Sequence, residues 1–414
     1  MTPDTADLFT DASRPAAQRQ DTPRRGRSER PVRLLHVIRP GRGREAKQLR
    51  MLLRHIDRER FVSTVVASAA DYPGYLDELR GFDADVRHLP MHAELSGPDD
   101  LAAMQALMAV LRRGRFDVVH LHGHKAALLG RPAARVTNAR AVVYTPHGLR
   151  HLENRSPRLR GVHVRLERTF GSFTRAMICA SQHETDTALR LRLLRPDRIH
   201  TVRDGVDFAE LPEAAVNIDV RKSLGINVAT RLITMVGKLE APRDPGTLLR
   251  ASRHVLVPQP RNHIVLVGDG DMIPFCRDLA RQLDLSRQVI CTGYRDDAIR
   301  IAWTSAIHVQ SIREGGPGLS LLEGMAMGKP LIASDTPGHR EVVEHGRTGV
   351  LVPPGDERVM SGALLKLIGD HDLSERLGSA ARDYVTRHHT VERWVRGIEA
   401  VYVDVLRRSR KGGR

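Results

Sequence analysis

Aromatic residues make up only 4% of this 414-residue chain, which removes the stacking platforms on which single-stranded nucleic acids are held. Cysteine is scarcer still. Cys179, Cys276 and Cys291 are an odd set without metal-ligand spacing, so no disulfide framework is expected and the three read as small buried side chains. No apolar run approaches the roughly 20 residues that cross a bilayer. The opening MTPDTADLFTDASRP lacks a basic stretch followed by an apolar one, which predicts no secretory signal and residence in the cytoplasm. There is no G-x-S-x-G elbow for a serine hydrolase, and no zinc-finger or basic-zipper spacing, so nucleic acid is not an expected partner. What the chain has in excess is positive charge. Its 65 Lys and Arg against 49 Asp and Glu give a net +16, which draws it toward polyanions such as phosphorylated substrates or an anionic membrane surface.

The length exceeds what one hydrophobic core usually supports, so two domains of roughly 180 residues are expected. Residues 1–30 mix Pro, Ser, Asp and Arg without apolar periodicity and read as a disordered arm. From Pro31 short apolar runs alternate with amphipathic stretches: VRLLHVI, EAKQLRMLLRHI, FVSTVVAS, FDVVHLH, KAALLGRPAARV, AVVYTP. A second such series opens at LITMVG and continues through HIVLVGDG, QVICTG, AIHVQSI, PLIASD and GVLVPP. Alternation of this kind builds parallel sheets covered by helices on both faces. The expected architecture is therefore α/β, with two Rossmann-like, doubly wound domains facing across a cleft. They span 31–210 and 211–385, joined through an aperiodic segment at 206–229. Residues 386–414 are expected to form a helix with a basic tail, the helix packing back toward the first domain.

In such sheets ligands sit beyond the carboxyl ends of the strands, where loops and helix N-termini present backbone amides. The loop after LITMVG carries Lys238 and Arg243, two cations suited to a diphosphate, with Pro245 placed for a first helical turn. Taken alone they are equally two solvated basic side chains. After AIHVQSI comes Arg313-Glu314-Gly315-Gly316-Pro317-Gly318, then a helical stretch containing Glu323. Its glycines allow close approach of a ligand, and Glu314 and Glu323 can accept hydrogen bonds from hydroxyls of a sugar and a ribose. The plain alternative is that Glu314 caps the helix and Glu323 faces solvent. His147 at the end of AVVYTP can meet a sugar hydroxyl, although a lone histidine is more often structural. His120, His122 and His124 alternate along FDVVHLHGH, but the run does not ensure closed metal coordination, and no metal site is assigned. Gly268-Asp269-Gly270 has only part of a dinucleotide fingerprint.

Read in order, HVIRPGRGREAKQL, DVVHLHGHKAALLGRPAARV, YTPHG, VRDGVD, VGKLEAPRDP, LVGDGD, TGYRDD and REGGPGLSLLEGMAMGKPLIASDTPG resemble the family 4 retaining glycosyltransferases of GT-B fold. The resemblance covers roughly residues 33–385. It implies that Lys238 and Arg243 clamp the donor diphosphate, with lysine and arginine exchanged relative to the usual order. Glu323 would hold the ribose, Gly293 and Tyr294 would flank the base, and Glu314 with the amides of Gly315 and Gly316 would hold the donor sugar. His147 would face that sugar from the other domain, and Gly43 would approach the phosphates. Three departures stand out. Arg42 takes the place of the first glycine of a Gly-Gly-x-Glu pattern, Asp204 that of an asparagine, and eight residues rather than seven separate Glu314 from Glu323.

The resemblance implies transfer of a sugar from a nucleotide-diphosphate donor, a UDP- or GDP-sugar, to a saccharide or lipid-linked acceptor. Configuration would be retained, no metal or other cofactor would be required, and the setting would be cell-surface polysaccharide or glycolipid synthesis, with peripheral contact at the inner membrane face. The alternative is a non-catalytic sugar-nucleotide or polysaccharide-binding component of a glycan assembly complex.

Overall fold

The computed structural model describes residues 30–39, 42–69, 72, 74–92, 94–149, 157–212 and 217–411. Of the segment read as a disordered arm, residues 1–29 lie outside the described residues, and Arg30 donates to the Asp117 carboxylate at 2.8 Å.

Two all-parallel sheets organise the chain. The first comprises β1 (Val32–Ile38), β2 (Phe61–Ala67), β3 (Asp85–His88), β4 (Val118–His122), β5 (Val142–Thr145), β6 (Ala176–Cys179) and β7 (Ile199–Thr201), in spatial order 3-2-1-4-5-6-7. The second comprises β8 (Arg231–Val236), β9 (Asn262–Val267), β10 (Val289–Cys291), β11 (Ile307–Gln310), β12 (Leu331–Ser334) and β13 (Val350–Val352), in order 10-9-8-11-12-13. Two Rossmann-like lobes are the result. Central strands such as β4 are buried at every position, because helices cover both faces and the usual in-out alternation disappears.

The covering helices owe their placement to apolar stripes. In Gly43–His55, Ala46, Leu49, Leu52 and Leu53 recur at three- and four-residue spacing and pack on the first sheet, while Arg54 and His55 face the helix's negative end. The returning helix Val391–Lys411 places Trp394, Val395, Ile398, Val401, Tyr402 and Val405 against Leu34, Leu52, Phe61 and Val118, so the end of the chain is built into the core of the first lobe. Where the chain leaves that lobe, the Val206 amide donates to the His389 carbonyl at 2.8 Å, and the Val391 amide to the Val206 carbonyl at 3.0 Å. The two crossings are thereby tied together. Among its described residues the connecting segment, read as aperiodic, has a helical turn at Phe208–Glu210 and a seven-residue helix, Asn217–Ser223, too short for a sequence period to declare itself. Cys179 and Cys276 are buried and Cys291 half-buried, all three as free thiols.

Each sheet has one point where strand order reverses: between β1 and β4, and between β8 and β11. Outside the carboxyl ends of those strand pairs lie the crevices that α/β sheets offer to ligands. No described helix is long and apolar enough to cross a membrane.

Candidate active site

In the second lobe the crevice is shaped by backbone. The Gly237 amide donates to the Val267 carbonyl at 2.9 Å, Leu239 to Asp269 at 2.7 Å and Gly268 to Gly293 at 3.0 Å, lacing together the loops after β8, β9 and β10. Gly268, at φ +144°, leaves no room for a side chain, since a Cβ there would lie 2.0 Å from the Gly237 carbonyl oxygen. That close packing accounts for the fragmentary Gly268-Asp269-Gly270 motif. A turn at Ala241–Arg243 then delivers the chain to helix Pro245–Leu256, capped by Asp244, whose carboxylate accepts from the Thr247 hydroxyl at 2.8 Å.

Arg243 lies at the reversal point. Its Nη1 donates to Gln310 Oε1 at 3.0 Å, bridging the loop after β8 to the end of β11. The guanidinium also underlies two glycines: Cβ atoms on Gly237 and Gly318 would stand 3.3 and 3.8 Å from it. Lys238 is 69% exposed, pairs with Glu240, and its charge acts on Glu45 of the opposite lobe. The structure therefore places Arg243 at the reversal point of the second sheet and Lys238 within electrostatic reach of the first lobe.

The loop after β11 turns through positive φ at Gly315 (+122°) and Gly318 (+72°). Gly318, rather than Glu314, occupies the cap position of helix Leu319–Ala326, and the Glu314 side chain is exposed at the rim. Gly315 is buried. Gly316 abuts the first lobe, with Ser181 Oγ 3.2 Å from where its Cβ would be. Gly293 takes φ +71° with open space beside it, and Tyr294 follows, half-buried.

The first lobe fills its crevice with side chains instead. His36 Nδ1 lies 3.1 Å from His122 Nε2, spanning the reversal point, and His122 Nδ1 lies 3.3 Å from His147 Nε2. His147 Nδ1 meets Gln48 Oε1 at 2.7 Å, Gln48 Nε2 donates to Asp204 Oδ1 at 2.6 Å, and Arg44 pairs with the other Asp204 oxygen. Donors and acceptors along this chain fix one another. Asp204 can only accept, so Gln48 presents its oxygen to His147. His147 then carries its proton on Nδ1, and its Nε2 accepts from His122. Burial pushes the His36 and His147 imidazoles down to about 3, and His120 and His122 well below the ordinary value, which keeps the group neutral. His147 holds φ +56°, steadied by the next amide, Gly148, donating to Glu184 at 2.9 Å. Both of its ring nitrogens thus face protein groups.

His36, His120 and His122 are all buried and close enough together to hold a metal ion. His120, however, spends its nitrogens on the Tyr402 hydroxyl at 2.6 Å and Thr145 Oγ1 at 2.7 Å, so an ion would have to displace a hydrogen-bonded set that is already complete.

Between the lobes, Lys47 Nζ meets Glu323 Oε1 at 2.6 Å, and Arg42 stacks 4.4 Å from the Tyr294 ring centroid. Glu341 of the second lobe accepts from the amides of Gln182 and His183, at 2.8 and 2.6 Å, at the start of helix Gln182–Arg190. Gly43 stands at φ +84° with nothing within 4 Å of a Cβ, open toward the same gap. Beside it Glu45 is pushed up to about 7, burial outweighing the nearby Arg39, Arg44 and Lys238 charges. Sequence reasoning did not pick out Lys47, Gln48, Arg44, Glu45 or Gln310. The available signal was a glutamine on the buried stripe of helix Gly43–His55 and a histidine inside β1.

Residues 45–210 match Glycosyltransferase Family 4, and residues 217–384 match Glycosyl transferases group 1, about four-fifths of the chain between them. The chain is a glycosyltransferase of GT-B fold. It is 26% identical over 312 residues to the UDP-Gal:α-D-GlcNAc-diphosphoundecaprenol α-1,3-galactosyltransferase of Escherichia coli, covering 74% of this chain and 80% of that one. The D-inositol 3-phosphate glycosyltransferase of Thermobispora bispora is 26% identical over 320 residues, 72% and 73% of the two chains. HepE from Anabaena, solved with UDP and glucose, superposes with a TM-score of 0.77 at 20% identity, covering 89% of this glycosyltransferase and 98% of that protein.

Proposed function

We propose that this glycosyltransferase moves a sugar from a nucleoside-diphosphate donor to a saccharide or lipid-linked acceptor, with retention of anomeric configuration. The observation carrying this reading is Arg243, held by Gln310 at the β8–β11 reversal point under two glycines, with Lys238 on the same loop. Cations fixed there meet the charge that grows on a departing diphosphate, and they stabilise it most once closed lobes exclude water. The glycosidic C–O bond to phosphate breaks, and the acceptor oxygen bonds to the same face of the anomeric carbon. Its proton passes to the leaving phosphate oxygen. Lys238 and Arg243 take the charge-neutralising part that a divalent ion plays elsewhere, so turnover is expected to persist in chelator. Glu323 holds the ribose, Gly293 and Tyr294 flank the base, and Gly315 and Gly316 offer amides to the sugar, with Glu314 at the rim.

The Escherichia coli relative is named for a UDP-sugar donor and a diphosphoundecaprenol-linked acceptor, and HepE carries UDP. Both favour a uridine donor and an acceptor of cell-surface glycan or glycolipid synthesis, and the +16 charge suits an anionic membrane face. The test is a thermal-shift screen of UDP, GDP and ADP and their sugars, followed by NMR of the product's anomeric proton. Stabilisation by one nucleotide family and an axial-to-axial or equatorial-to-equatorial outcome is expected; inertness to every donor sinks the proposal.

A second reading, a non-catalytic binding component of an assembly complex, draws on the exposed position of Glu314. It predicts nucleotide binding without turnover. Turnover by the native chain that is lost in Glu314→Ala would dispose of it.

A further inference from the structure

Two cations from one short stretch of the first lobe occupy the second lobe's proposed donor residues. Arg42 immediately precedes helix Gly43–His55 and Lys47 lies one turn inside it, so both project over the cleft from a single rigid element. The Arg42 guanidinium sits between two rings, 4.4 Å from the Tyr294 centroid and 5.0 Å from that of Tyr72. A guanidinium is flat and delocalised and stacks on an aromatic face much as a nucleobase does. The Lys47 ammonium donates to Glu323 at 2.6 Å, with Glu210 behind it at 3.6 Å. Lysine and carboxylate are only 24% and 12% exposed, so solvent screens this pair less than one on the open surface. An ammonium donating to that carboxylate takes the place of ribose hydroxyls. The arrangement goes with a sequence departure, since arginine stands at 42 where the family pattern has glycine, and glycine could not reach Tyr294.

We propose that Arg42 and Lys47 are internal occupants of the donor site, standing on the base and ribose positions of the nucleotide-free enzyme and holding the lobes shut until a donor displaces them. This rests on the donor-site reading given above. A nucleotide must then break one stacking contact and one ion pair before it seats, and its apparent affinity falls by the fraction of molecules in which both are released. Water is kept from the site in the resting state by the same contacts.

The test is calorimetric titration of UDP and GDP into the full-length protein and into Arg42→Gly, Lys47→Met, the double variant and Glu323→Ala, with small-angle scattering of each nucleotide-free protein. Arg42→Gly and Lys47→Met are each expected to tighten nucleotide binding several-fold, the double variant more, and to increase the radius of gyration. Unchanged or weakened affinity in both single variants overturns the proposal and makes the two cations direct donor contacts or bystanders. Glu323→Ala is expected to weaken binding when added to Lys47→Met, where no ion pair is left to release. If it has no effect in that background, the assignment of Glu323 fails and the occlusion fails with it. No binding of UDP or GDP by any form overturns the donor-site reading itself.

Discussion

At the carboxyl edge of the first sheet, strands carry His36 and His122 and lead into the His147 loop, and these side chains satisfy one another through to Gln48, Asp204 and Arg44. At the carboxyl edge of the second, they end in Gly237, Gly268, Gly293 and the Gly315–Gly318 turn, where backbone rather than side chain meets the crevice. The same sheet plan therefore produces an edge filled by side chains and an edge lined by backbone. A filled edge is neutral and can hold a wall in place. A backbone-lined edge bordered by Lys238 and Arg243 sets positive charge beside closely packed main chain. The fold supplies two equivalent crevices, and residue choice makes them chemically different.

Breaking the backbone-lined edge should have the largest effect. Arg243→Ala is expected to lower kcat/KM by on the order of 10²–10³-fold with the fold intact, read from turnover and circular dichroism together. In the filled edge the vulnerable step is unpairing. Asp204→Ala strands Arg44 and releases Gln48, and should cost about 3 kcal/mol in denaturant unfolding, with protection lost first in the first lobe by hydrogen exchange. Its counterpart in the backbone-lined edge is crowding. Gly268→Ala, forced against the Gly237 carbonyl at positive φ, should cost about 2 kcal/mol and loosen only the second lobe. If Gly268→Ala were harmless and Asp204→Ala loosened both lobes alike, the contrast would be lost.

Acid sharpens the comparison. Folded His36 and His147 stay neutral down to about 3, while in the unfolded chain histidines protonate below about 6.5. Their contribution is intact above that pH and drains as pH falls from 6.5 toward 3, at up to about 1.4 kcal/mol per pH unit for each histidine. The second lobe has His308 and His339 lowered to about 4, against four strongly lowered imidazoles in the first. Between pH 6.5 and 4 the first lobe should therefore lose hydrogen-exchange protection sooner. The smallest effect expected is from Lys238→Arg, which keeps the charge at an exposed position and should change kcat/KM by about twofold or less.

Much of this was legible in the residues. Strand runs such as VRLLHVI and LITMVG, and glycine-bearing loops after them, located both sheets and the cations of the second lobe, because strand and loop placement follow from local pattern. The histidine chain was half visible: His120 and His122 stood out by alternation, whereas His36 lay hidden in an apolar run. Gln48 and Lys47 look like ordinary helix residues. Their roles come from what a distant segment places opposite them, Asp204 and Glu323, more than 150 positions away in sequence. No local rule carries that information.

By itself, the sequence determined two α/β halves and the loops that border each crevice, since periodicity, glycine and charge act over a few residues. Tertiary structure alone decided that the first crevice is filled by its own side chains and that Arg42 and Lys47 lie on Tyr294 and Glu323. Those are relations between surfaces brought together by the crossing chain, and they exist only once both lobes are folded against each other.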